Sequence, residues 1–191
     1  MKTFSFSIPQ MLVLNQLLQV PLWIGAPLDD ASSQQKLSAA LDELEGAGWI
    51  ARQADGSVGI AEGLLAILQA LRDAQSIAYA ACLHGETQTA SLTVFVDSGH
   101  YVMQTWQSAG LIQIDPFIDP AAVKSAVQAG LKNMASAANA GRLRFGTMGN
   151  ASGDWESQDE GEIILEGEKS NGDLLKQMDT AIAAFGRILD L

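Results

Sequence analysis

A chain of 191 residues with a net charge of −11 and 48% apolar residues can bury a sizeable core and is too apolar to stay disordered. A field of that sign repels phosphate backbones and anionic lipid, so nucleic acid and membrane surfaces are not expected partners, whereas a basic or neutral protein is. The single cysteine, Cys82, permits no intrachain disulfide, and a reducing, cytoplasmic setting is expected.

The N-terminal segment holds one lysine and many apolar residues. Ser5, Ser7, Pro9, Gln10, Asn15, Gln16 and Gln19 interrupt any hydrophobic signal region, so no signal peptide is expected. No run of roughly 18 uncharged apolar residues exists, so no transmembrane helix is expected. Asn150-Ala151-Ser152 fits a glycosylation sequon, which without an export signal reads as a polar loop.

Phe4, Phe6 and Ile8 alternate with Ser5 and Ser7, which is strand periodicity. Ser7 and Pro9 can start a helix with Leu12, Val13, Leu17 and Leu18 as its stripe, stopped by Pro21. A second helix runs from Ser33 to Ala47 on Leu37, Ala40, Leu41 and Leu44, and Gly46 or Gly48 ends it. Trp49 to Arg52, the turn signal Asp55-Gly56, and Val58 with Ile60 make a short hairpin, followed by a helix from Glu62 to Arg72. This outline is winged-helix-like and defines a first part, residues 1–73.

The second part, residues 74–191, opens with strands over Ile77–Leu83, Ala90–Val96, Tyr101–Trp106 and Leu111–Ile114. Ser98-Gly99 fits a two-residue hairpin turn, and Asp115-Pro116 ends the fourth strand. The expected product is an antiparallel meander with helices on one face. Asp119-Pro120 opens a helix on Val123, Ala126, Val127 and Leu131. Residues 133–161 are rich in Ala, Gly, Ser and Asn and carry an acidic run, and they are expected to form a mobile loop. A last strand over Glu162–Glu168 and an amphipathic helix over Asp173–Leu189 close the chain. The fold class is therefore α+β, with the two parts in one unit.

The chemistry is sparse. His84-Gly85-Glu86 matches half of a zinc deaminase signature, but that site also needs two thiolates, and Cys82 stands alone. His84 and His100 are the only histidines. On one side of the sheet they could join a carboxylate around a metal; otherwise they are surface groups near turns. Cys82, among Ala80, Ala81 and Leu83, reads as a small core residue. No phosphate loop, dinucleotide fingerprint or nucleophile elbow is present. The acidic run Asp154, Glu156, Asp159, Glu160 and Glu162 lacks calcium-loop spacing. No catalytic residue, cofactor or metal site is expected, and the chain does not read as an enzyme.

The winged-helix outline raises DNA binding, yet Lys2, Lys36, Arg52 and Arg72 are the only bases in its first 75 residues. A partner protein, expected to be helical, fits better. The candidate contact residues are Leu175, Met178, Ile182 and Phe185 on the last helix, with Trp106 and Trp155 as aromatic anchors. Each stripe residue can equally be plain core. Strand Tyr101–Trp106 is a candidate edge for homodimer pairing.

The segment ALDELEGAGWIARQADGSVGIAEGLLAILQAL resembles the helix, glycine, short apolar pair, turn and helix of EspG-type chaperones of type VII secretion. MLVLNQLLQV precedes it, and SIAYAACLHG, ASLTVFVD, HYVMQTW and PAAVKSAVQAGL follow in the order of that family's helix, meander and helix. The resemblance covers about residues 10–132, and the acidic stretch from Asp154 has no counterpart in it. It implies a cytosolic, non-enzymatic chaperone for a helical secretion substrate and transfers no binding residue. Beside that reading, a chaperone or adaptor, stand two others: a winged-helix transcriptional regulator, which a basic patch would mark, and an enzyme, which a cleft joining a histidine to a carboxylate would mark.

Overall fold

The computed structural model describes residues 2–19, 24–28, 32–108, 110–137, 141–151, 154–165 and 171–189. In chain order these form β1 (Phe4–Phe6), α1 (Ile8–Leu18), α2 (Gln34–Gly46), β2 (Ile50–Arg52), β3 (Val58–Ile60) and α3 (Glu62–Arg72). Four strands follow, β4 (Ser76–His84), β5 (Thr87–Asp97), β6 (His100–Gln107) and β7 (Ile112–Phe117), and then α4 (Pro120–Ala137). β8 (Gly141–Ala151), β9 (Asp154–Leu165) and α5 (Asn171–Leu189) complete the fold. Seven strands pair antiparallel in the order β1-β7-β6-β5-β4-β8-β9, and β2 and β3 form a separate hairpin. The architecture is α+β.

Local chemistry sets the element boundaries. Ser7 caps α1 by a reciprocal box: its hydroxyl accepts from the Gln10 N–H at 3.3 Å, and the Gln10 side chain accepts from the Ser7 N–H at 2.8 Å. Trp49, just after α2, packs against Phe4 at 5.3 Å and Phe6 at 6.1 Å between ring centroids, and Lys2 sits over its ring. That cluster fastens β1 to the helical part. Between β5 and β6, Ser98 and Gly99 both take positive φ, as a two-residue turn of matching twist requires.

Alternation along each strand feeds two cores. One face of the sheet contributes Phe4, Phe6, Ile77, Phe95, Val102, Trp106, Ile112 and Ile114, which pack with α1, α2, α3 and Ile50. The other contributes Ala78, Ala80, Cys82, Leu92, Val94, Leu143 and Phe145, which pack under α4 and α5. Gln104 donates to the carbonyl of Ile24, and Gln88 donates to that of Gly25 at 2.7 Å, strapping this segment across β5 and β6.

Four expectations change. Helices lie on both faces, because strands such as β4 present apolar residues both ways. β6 is interior, bonded to β5 and β7, so Tyr101–Trp106 offers no edge; the edges are β1 and β9. β7 continues through Pro116 to Phe117; β1 stops opposite Ile114, so the missing proline N–H breaks no ladder there. Most consequentially, the expected mobile loop over 133–161 is the end of α4 followed by β8 and most of β9.

The β8–β9 pair holds because its glycines make room for aromatic rings. Phe145 faces Gly161 across the ladder, and a Cβ at Gly161 would stand 2.3 Å from the ring. A Cβ at Gly146 would stand 2.7 Å from the Tyr79 hydroxyl. Gly161→Val is therefore expected to lose about 1–3 kcal/mol of stability in urea unfolding. Gly63→Ala, whose methyl meets nothing within 4 Å on a helix, is expected to gain about 0.5 kcal/mol. A neutral Gly161→Val would refute the packing account.

Candidate partner-binding surface

The groups with chemical potential are dispersed. His84 ends β4 opposite Thr87, whereas His100 begins β6 opposite Asp97. They lie at opposite ends of β5, on the order of 30 Å apart at strand rise. The two-histidine metal site is thereby ruled out. Among the described residues no group of three His, Cys, Asp or Glu could hold a metal ion. Cys82 is buried, and burial pushes its thiol up to about 11, so it is a small core residue.

The acidic run is built into β9 and tied to neighbouring elements. Glu162 accepts from the Arg144 Nε at 2.8 Å and lies 3.8 Å from Arg142, both on β8. Asp159 pairs with Arg187 on α5. Burial, then the Glu160 carboxylate, push the Tyr79 hydroxyl above its ordinary value.

Of the six candidate contact residues, Trp106 is buried in the core shared with α1–α3, and Met178 and Phe185 are buried in the core under α4 and α5. Ile182 is half-buried and lines a groove of about 230 Å³ between α4 and α5, with Lys124, Gln128 and Gly186 beside it. Trp155 is 38% exposed on β9, at the outer strand of the sheet. The Leu175 side chain lies outside what the structure describes. The structure thus brings Ile182 and Phe185 together and leaves the two tryptophans elsewhere.

A larger groove, about 390 Å³, runs between α3 and the ends of β6 and β7. Ile67 and Ala70 of α3 form one wall, and Pro116, Phe117 and Ile118 form the other. α3 turns Leu64, Leu68 and Leu71 into the core, which leaves Ile67 and Ala70 on its flank, half-buried. Ile118, 69% exposed, is the most exposed large apolar side chain among the described residues. Asp73 and Asp97 stand at the rim with His100. Two hydrogen bonds from Arg72, at 2.6 and 2.7 Å, hold the Asp73 carboxyl below its ordinary value. Such a groove can receive a few apolar side chains, with a base toward Asp97. Sequence reasoning missed it. The signal was Ile118 itself, a large aliphatic residue stranded between Pro116 and Pro120.

No protein-family model matches the chain, and no curated protein matches it. It is similar to a solved structure of the Mycobacterium tuberculosis type VII secretion system chaperone EspG5 in complex with PE25-PPE41 dimer, at 12% identity and a TM-score of 0.48, over 96% of this chain and 95% of that chain. That chaperone falls within the group the sequence resembles. No described helix is long and apolar enough to cross a membrane.

The arginine ties make the β8–β9 pair sensitive to acid. Arg144 lowers the Glu162 carboxyl from its ordinary 4.5, chiefly by its hydrogen bond. Because the folded value is lowered, this stabilisation is fully present above pH 4.5 and is lost as the pH falls through the lowered value. Glu162→Gln is expected to speed amide exchange in β8 and β9 at neutral pH, with the difference from the native chain vanishing in acid. A difference that persisted unchanged in acid would show that the ion pair is not its source.

Proposed function

We propose that the protein is a non-enzymatic, cytosolic chaperone or adaptor that masks the apolar face of a helix on a partner protein. The groove beside α3 is the proposed seat. The observation that carries this reading is Ile118, held in water on the lip of a groove walled by Ile67, Ala70, Pro116 and Phe117. Ile118 is continuous with the groove and so extends its apolar surface, and contiguous apolar surface of this kind is where partners dock. A helix presenting apolar residues at every third or fourth position would complete it. Asp97 at the rim favours a partner with lysine or arginine beside that stripe.

A photo-crosslinking residue at Ala66, which is exposed on the same flank of α3, would capture the partner in the native host. Binding of the purified partner would then be measured by calorimetry. Ile118→Glu is expected to weaken it about tenfold or more while the circular dichroism spectrum stays unchanged. Undiminished affinity with Ile118→Glu would rule out the groove as the seat.

A further inference from the structure

β9 is the outer strand on one side of the sheet, and among the described residues no strand pairs with its outer edge. It is 12 residues long, whereas β1 at the other edge has 3. An edge of that length presents a row of backbone donors and acceptors that proteins either blunt or use. α5 packs on one face of β9, where Ile163 and Leu165 are buried. On the opposite face the register lines up Trp155, Ser157, Glu160, Glu162 and Ile164, with the ladder shifting opposite Thr147 and Met148 to leave Gln158 out of the pairing. Trp155 and Ile164 in that row are 38% and 60% exposed.

Charge decides what can add to this edge. β9 carries five carboxylates, Asp154, Glu156, Asp159, Glu160 and Glu162, and no base. The arginines that meet Glu162 and Asp159 come from β8 on the inner side and from α5 on the covered face of the strand. A second copy pairing through the same edge would set acidic strand against acidic strand, and like charges directly opposite destabilise a ladder. An extended segment with lysine or arginine opposite Glu160 and Glu162, and an apolar residue opposite Ile164, would gain ladder hydrogen bonds and cross-strand pairs together.

We infer that the outer edge of β9 accepts an extended, basic segment of a partner protein, which adds to the sheet as one more antiparallel or parallel strand. This does not rest on the groove beside α3. The test uses the full chain and a short synthetic peptide alternating valine and lysine, with valine also at the position that faces Ile164. Its controls are the same peptide with glutamate for lysine and the lysine peptide N-methylated along one backbone edge.

The lysine peptide is expected to bind about tenfold or more tightly than the glutamate peptide, to slow amide exchange in β9 and to shift Trp155 fluorescence. N-methylation is expected to abolish that protection, because it removes backbone donors and keeps the charge. Glu160→Gln is expected to weaken binding of the lysine peptide. The inference is overturned if the lysine peptide does not bind, if its N-methylated form protects β9 equally well, or if protection appears away from β9. A concentration-dependent dimer that protects β9 without peptide would also overturn it, by showing a second copy on the edge.

Discussion

β4 is the strand on which both cores depend. It is bonded to β5 on one side and to β8 on the other, and its alternation sends Ile77 to the core under α1–α3 and Ala78, Ala80 and Cys82 to the core under α4 and α5. Slipping its register by one residue would exchange the two sets. The small residues on the second side are a spatial requirement. They leave room for Phe145, Leu131 and Phe185, and α4 comes so close over β5 that a Cβ on Gly130 would stand 2.4 Å from the Leu92 side chain. Large residues packed over small ones give a dense layer without strained rotamers.

Where a signal was local, the sequence carried it. The Ser7 cap, the hairpin turn at Ser98-Gly99, the alternation in β5 and β6 and the limits of α3 can all be read from a few neighbouring residues. Strand order is not local. The periodicity of Tyr101–Trp106 is that of any strand and does not say whether one neighbour or two will pair with it. β8 and β9 were hidden by composition, since glycine and asparagine weaken strand propensity. Yet Leu143, Phe145 and Thr147 alternate with Arg142, Arg144 and Gly146 as a half-buried strand should. The glycines that looked like loop residues are the places where Phe145 and Tyr79 lie flat on the sheet. The candidate surface was less legible, because stripe periodicity in α5 does not separate core from contact. Met178 and Phe185 are buried, and Ile182, half-buried, lines a groove whose wall Phe185 shares.

Acidity, read from composition as a solvated surface, has a structural share as well. Arg142, Arg144 and Arg187 gather carboxylates from β9 and hold the outer strand to β8 and to the last helix. Exposed pairs of this kind contribute little singly, but together they help orient a strand that, among the described residues, has a neighbour on one side alone. The apolar groove beside α3 and the charged edge at β9 are then two surfaces of different character, one concave and apolar, the other extended and acidic.

The order of elements along the chain gives this sheet a history. β4 to β7 are consecutive and can zip as they leave the ribosome, but the second neighbour of β4 comes only after α4, where Gly149 meets Ser76. Until then β4 is itself the edge, and it bears no aspartate, glutamate, lysine or arginine to discourage stray pairing. Arrival of β8 and β9 replaces that neutral edge with one bearing five carboxylates. A ribosome stalled within α4 would therefore hold a half-sheet prone to aggregation, and synthesis of the last third of the chain is what makes the rest safe to release.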